Sequence, residues 1–280
     1  MTRRGQALVL LAPAALLLLF VVGGAQALML VASLGKRAAY GGVVPDWNVQ
    51  NYLRTLEPLY VRVLARSVFL AAATTVLCLL VGYPVAYWLA RRAPPTWRRA
   101  LLVLVILPFW TSFLVRMYAW VFLLRSEGLV NLAFAAIGLP ALNLLYRPAA
   151  VLLGQVYGEL PFIILPLYAS LEKLDPALLD AAADLGAPPP EVIRRVILPL
   201  TLPGIVAGAI LVFIPSLGAY LAPDLLGGAR FVYVGSLIQS QFAIARDIPF
   251  GSALSFALSM GVLLALWALR GPLSRAGEAP

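Results

Sequence analysis

Six long apolar runs divide this 280-residue chain, and they constrain its fold more than any other feature. A membrane-spanning helix needs about 20 mainly apolar residues. Residues 7–34, 67–90, 100–124, 148–170 and 196–222 meet that length, and 250–269 just reaches it. A further stretch, 129–146, is apolar but interrupted by Asn131, Gly138, Pro140 and Asn143, and reads as an interfacial or re-entrant piece. Inside lipid every backbone N–H and C=O must be satisfied within the chain, so spans of this length are helices. The expected fold is therefore all-α and polytopic, with six transmembrane helices in one domain over 1–280 and a core at roughly 62–270. The first run carries Arg3 and Arg4 before it and Ala25-Gln26-Ala27 within it, as a secretory leader would. Its apolar stretch continues to Leu34 and five more spans follow, so an uncleaved anchor is expected.

Between these spans the charges follow a pattern. The net charge is +9, from 21 basic and 12 acidic residues. The basic residues fall between apolar runs and do not gather in one patch, which points away from a nucleic-acid partner. With both termini in the cytoplasm, the inner segments 1–6, 91–99, 170–195 and 270–280 hold eleven arginines and lysines in 52 residues. The outer segments 35–66, 125–147 and 223–247 hold nine in 80. The inward bias is about twofold, the sign expected for a multi-pass membrane protein.

Several function classes are excluded by missing residues. There is no histidine and only one cysteine, Cys78, so zinc sites, Ser-His-Asp or Cys-His centres and disulfide frameworks lack their parts. The two lysines, Lys36 and Lys173, do not end a Gly-x-x-x-x-Gly-Lys-Ser/Thr loop. No catalytic residue, metal or cofactor is expected on this chain, and any ATP it depends on is bound elsewhere.

The loop between spans four and five, 170–199, concentrates what acid there is. Glu172, Asp175, Asp180, Asp184 and Glu191 are five of the 12 acidic residues. Asp175 suits a helix N-cap, Pro176 the first helical position and Gly186 the C-terminal cap, with Pro188 soon after. The spacing predicts a helix over 176–185, about 15 Å long. On it Leu178, Ala181, Ala182 and Leu185 share one face, while Asp180 and Asp184 stack at i, i+4 on another. A small-residue helix of this kind fits a groove on another protein better than it fits a plain connector.

The run Asp180-Ala181-Ala182-Ala183-Asp184-Leu185-Gly186, followed nine residues later by Val196-Ile197-Leu198-Pro199, resembles the Glu-Ala-Ala loop of bacterial ABC-importer permeases. It departs from that pattern in Asp180 for Glu and Val196 for Ile. The likeness extends over roughly 45–260 to the permease subunits of spermidine/putrescine importers. It is carried by Val81-Gly82-Tyr83-Pro84, Leu107-Pro108-Phe109-Trp110-Thr111, Arg116-Met117-Tyr118-Ala119-Trp120, Leu160-Pro161-Phe162, Ser170-Leu171-Glu172-Lys173-Leu174-Asp175 and Asp247-Ile248-Pro249-Phe250. It is greatest to the first of the two polyamine permeases. The resemblance implies the type I, binding-protein-dependent importer fold. It also implies a second permease, two copies of a cytoplasmic ATPase that uses ATP with magnesium, and an extracytoplasmic substrate-binding protein. Asp180, Ala181, Ala182, Ala183, Asp184, Gly186, Leu198 and Pro199 are the implied ATPase-coupling residues.

A polyamine pathway needs carboxylates, carbonyls and aromatic faces. Glu159 is the one acid inside a span, and an intramembrane charge is a functional candidate by default. Gln155 shares its helix face and Phe162 lies one turn on. Trp110, Tyr118, Trp120, Tyr157 and Tyr220 are candidate cation–π walls. An equal alternative has Glu159 pair with Arg116 and merely fasten two helices. Gly154/Gly158 and Gly204/Gly208 read as helix-packing pairs. Permeases for ferric iron, inorganic oxyanions, phosphonates or opines carry similar loops and form the alternative reading of cargo. An ion-driven stand-alone transporter is the remaining one.

Overall fold

The computed structural model describes residues 3–39, 41–228 and 230–277. The outermost residues of the expected inner terminal segments, 1–2 and 278–280, lie outside them. The chain runs α1 (Arg3–Leu18), a π-helical turn (Leu19–Gly23), α2 (Gly24–Ser33), β1 (Lys36–Arg37), β2 (Val43–Val44), α3 (Gln50–Thr55), α4 (Pro58–Arg91), α5 (Pro95–Ile106), α6 (Phe113–Leu124), α7 (Leu129–Ala136), α8 (Pro148–Glu172), α9 (Pro176–Asp184), α10 (Pro189–Val192), α11 (Leu198–Leu200), α12 (Leu202–Gly218), α13 (Leu221–Gly227), α14 (Val234–Ala243) and α15 (Ile248–Gly277). Among the described residues, five helical stretches are long and apolar enough to cross a membrane. A bent pair, Pro189–Leu200 with Leu202–Gly218, makes a sixth.

Two of the expected spans are not straight rods. Residues 100–124 do not form one helix. After α5 the chain tightens to a 3₁₀ turn, Leu107–Trp110, becomes extended at Thr111 and restarts as α6. Pro108 has no N–H and its ring clashes with the preceding turn, so the helix stops there. The apolar stretch at this place is Phe113–Ala136, which takes in α7. Asn131 thus sits inside a helix and does not interrupt it. It is buried, donates from Nδ2 to the carbonyls of Arg125 and Leu142, and accepts from the Leu142 N–H at 2.8 Å, clasping the loop that follows. Residues 196–222 are broken too, by a 68° bend at Thr201. Pro199 and Pro203 bracket that bend, and the Thr201 hydroxyl bonds back to the Ile197 carbonyl at 2.8 Å, a habit that bends helices.

The chain forms two compact units. The first comprises residues up to Arg62 with Leu237–Ala268. In it β1 and β2 pair antiparallel, Lys36 opposite Val44. Asn51 donates to the carbonyls of Ser33 and Gly35, closing the end of α2. Asp247 accepts from the Phe250 N–H and caps α15. Its other oxygen takes Arg54 at 3.1 Å, and the guanidinium lies 4.0 Å from the Phe250 ring centroid. The apolar window of Leu11–Ser33 is buried nowhere, so its side chains are left for lipid or another subunit.

The second unit, Val63–Ser236 with Leu269–Pro280, is built around α8. Half of the apolar window of α8 is buried, the largest share of any span. One side packs Ile163, Ile164, Leu167 and Leu171 with Cys78, Ala86 and Leu89 of α4 and Val212 of α12. The other packs Ala150 and Val151 with Met117 of α6 and Leu226 of α13. Helices α8 and α12 make the most extensive pairing. The reason lies in small residues, because lipid tails offer no hydrophobic drive between helices and close backbone contact must replace it. Gly208 lies against Ile163, Gly204 against Ser170 and Pro166, and Gly158 against Phe113. These are the expected packing positions.

Candidate functional site

The loop after α8 folds as its punctuation dictates. Asp175 accepts from the Ala177 N–H at 3.0 Å, Pro176 opens α9, and Gly186 takes φ +77°, which an L side chain resists. The Gly186 N–H bonds the Ala183 carbonyl and the Ala187 N–H that of Ala182, a Schellman closure. Leu179 and Ala182 turn partly inward, and Leu179 packs on the α4–α8 core. Asp180, Ala181, Ala183, Asp184 and Leu185 face outward, with Leu185 89% exposed. Ala182 is therefore less available to an incoming surface than Leu178, Ala181 and Leu185. Leu198 and Pro199 lie at the bend of the fifth span, separated from α9 by α10 and the π-helical turn Ile193–Ile197.

One hydrogen bond ties this bend to the bundle. Thr201 is fully buried and gives its hydroxyl proton to Ile197, so the Tyr83 hydroxyl of α4 donates to Thr201 Oγ1 at 3.0 Å. Tyr83 is thus a strut between span two and the broken helix. Tyr83→Phe keeps the ring and removes the strut. It is expected to lower uptake about three- to tenfold, with the complex still assembled, measured as substrate moved per ATP hydrolysed.

Deeper in the second unit a polar layer crosses the bundle. Thr74 of α4 donates to Gln155 Oε1 of α8 at 3.1 Å, both buried. Ser216 of α12 is buried as well. Helices α8 and α12 run antiparallel, with Gly204 at Pro166 and Ser170 and Gly208 at Ile163, so Ser216 falls near the level of Gln155. Gln155 Nε2 and Ser216 Oγ have no hydrogen-bond partner. One turn along α8, Glu159 is half-buried and its Oε2 is also without one. Buried polar atoms of this kind are normally bonded, and Gln155, Ser216 and Glu159, each with one unmet atom, make this stretch of the second unit the candidate site.

The aromatic candidates divide into two groups. Phe162 meets Phe109 edge-on at 4.9 Å between centroids, and Tyr157 meets Trp120 at 5.5 Å. These rings line the same stretch of α8 as Gln155 and Glu159. Trp110, Tyr118 and Tyr220 stand apart and exposed, Trp110 by 86%. Arg116 is 9% exposed and lies over Phe109 at 5.0 Å and Phe113 at 5.4 Å. It is not among the ion pairs closed between described residues, which are Lys36–Asp46, Arg54–Asp247 and Arg195–Glu191. Thr74, Ser216, Phe109 and Phe113 were not anticipated. The first two carried a signal, a hydroxyl inside an apolar span, but the rings read as ordinary membrane filler. On the first unit, a shallow open cavity of about 490 Å³ is lined by Lys36, Arg37, Asn51, Arg54, Glu57 and Asp247, charges of both signs.

Membrane-length helices, a broken fifth span, a capped acidic loop helix and a polar layer in the second unit fit a transport subunit of the membrane. Residues 82–270 match the family of binding-protein-dependent transport system inner membrane components, and the chain belongs to that family. It is a multi-pass inner-membrane permease subunit of an ABC importer. Among its relatives is the spermidine/putrescine transport system permease protein PotB of Haemophilus influenzae, 45% identical over 221 residues, covering 78% of this chain and 76% of that one. The protein of the same name in Escherichia coli K12 is 43% identical over 225 residues, covering 79% and 82%. In fold the chain is similar to the crystal structure of a bacterial ABC transporter that imports the acidic polysaccharide alginate. The TM-score there is 0.74 at 17% identity, over 98% of this chain and 96% of that chain.

Proposed function

We propose that this chain forms half of the pathway through which an ATP-driven importer moves polyamines, spermidine or putrescine, across the inner membrane. The observation that carries this is the 43–45% identity, over nearly four-fifths of the chain, to permeases of spermidine/putrescine systems. Glu159, Gln155, Phe162, Trp120 and Tyr157 are assigned to the pathway wall, where a carboxylate and ring faces suit an ammonium cargo. Trp110, Tyr118 and Tyr220 are assigned to its exposed approaches. The partners of this reading are a second permease, two copies of a cytoplasmic ATPase and an extracytoplasmic binding protein. That ATPase hydrolyses ATP with magnesium, and this chain is no catalyst. Its coupling loop, 170–199, faces the ATPase through Asp180–Ala183–Asp184 and Leu185, with both termini on the cytoplasmic side.

Vesicles containing the reconstituted complex test the reading. ATP-dependent accumulation of labelled spermidine or putrescine is expected, with none of ferric iron, molybdate or phosphonate. Accumulation of one of those instead of a polyamine overturns the cargo while leaving the subunit's class in place.

A further inference from the structure

Arg116 presents a physical difficulty. It lies within the apolar stretch Phe113–Ala136, is 9% exposed, and its Nε and Nη1 have no hydrogen-bond acceptor. A guanidinium in that setting is costly unless its N–H groups are met. The charge it acts on is Glu159, whose Oε2 is likewise buried and unmet, yet the two close no ion pair within 4.0 Å. What holds Arg116 instead is a pair of ring faces, Phe109 and Phe113, both within the roughly 6 Å over which a cation and a ring attract. Phe109 is in turn propped by Phe162, and Phe113 is pressed against Gly158, one residue before Glu159. The rings and the carboxylate therefore belong to one neighbourhood.

That neighbourhood offers ring faces and one unpaired carboxylate oxygen, the same groups an alkylammonium ion seeks. We infer that Arg116 is a tethered competitor of the cargo: it occupies the Phe109–Phe113 faces and the field of Glu159 while the pathway is empty, and yields them to the ammonium group of a passing polyamine. This rests on the polyamine reading of the pathway. The gap to Glu159, wider than the 4.0 Å of a closed ion pair, is part of the device. A closed, fully bonded ion pair would be hard to open, whereas an arginine held by rings and a charge it does not touch is displaced more cheaply. The competitor also keeps the site weak, so cargo is released and not trapped.

The test is equilibrium retention of labelled spermidine by the purified complex without its binding protein. Arg116→Met removes the competing charge at similar length and is expected to raise retention about tenfold. Adding Glu159→Gln to it returns retention to the unmodified level or below, and Arg116→Lys, which restores a cation, also returns it toward that level. Unchanged or lower retention in Arg116→Met, or an equal rise in Arg116→Lys, overturns the inference. Where Arg116→Met does not assemble, Arg116→Gln gives the same readout without the charge. If the unmodified complex moves another solute and no polyamine, the cargo reading fails first, and vesicle uptake shows that separately.

Discussion

Gly186→Val is expected to cut uptake more than tenfold while the partner ATPase continues to hydrolyse ATP. Gly186 holds φ +77° with nothing within 4 Å of where a side chain would begin, so the penalty is conformational and not steric. An L residue in that region costs about 1–2 kcal/mol, most for a β-branched one. Losing the turn also frees the Ala182 and Ala183 carbonyls from the Gly186 and Ala187 N–H groups, at roughly 1 kcal/mol net. Together about 2–3 kcal/mol lowers the population of the closed turn by about 30- to 140-fold. The α9 end then loses its fixed exit, and Leu185, the most exposed apolar side chain of the loop, loses its position. Gly186→Asn is the control, because Asn tolerates the left-handed region, and it should keep uptake within about twofold. Equal losses in the two variants would show that Gly186 matters for some reason other than its backbone.

Local chemistry wrote much of this structure into the sequence. The α9 helix was legible to within a residue because Asp175, Pro176 and Gly186 each satisfy or free specific backbone groups, and those effects act within one turn. Most of the spans were legible because apolar length is a local property too, but the third was expected at 100–124 and lies at Phe113–Ala136. The breaks were not. Pro108, Pro161, Pro166 and Pro203 look alike in sequence, and α8 runs from Pro148 to Glu172 through two of them while α5 ends at another. What decides is whether neighbouring helices hold the weakened turn in line. The surroundings of Pro161 and Pro166 are packed by α4 and α12, whereas Leu107 and Trp110 are exposed.

The site shows the same division. Glu159 and Gln155 stood out because polar groups are rare inside spans, and their shared face follows from helix periodicity alone. Thr74 as the partner of Gln155 did not, since that bond joins residues 81 apart in sequence. Arg116 stood out as the one possible counter-charge, and helix periodicity alone puts Phe109, Phe113 and Arg116 on one face at i, i+4 and i+7. What the period does not give is the extended residue Thr111 between the two rings, or that the guanidinium rests over both rings and closes no ion pair with Glu159.

Gly204→Ala is expected to destabilise the second unit by about 2–3 kcal/mol, although it adds a single methyl group. The α8–α12 pairing is extensive among the described residues, and inside lipid it is held by close approach. A Cβ at Gly204 would come within 2.8 Å of the Pro166 carbonyl oxygen and 2.7 Å of Ser170 Cβ. The first of these is backbone beside a proline and cannot rotate away, so the helices must part. Overpacking of that kind costs about 1–3 kcal/mol, and parting them also loosens Val212 and Ile197, which close the core on the α4 side. The expected outcome is a lower melting temperature of the detergent-purified complex and a reduced yield from the membrane. Gly261→Ala in α15 is the contrast, since nothing lies within 4 Å of a Cβ there and removing a helical glycine is neutral or stabilising by up to about 1 kcal/mol. A Gly204→Ala complex that melts with the unmodified one would mean that α8 and α12 separate without cost, and the pairing would then have to be held by their other contacts.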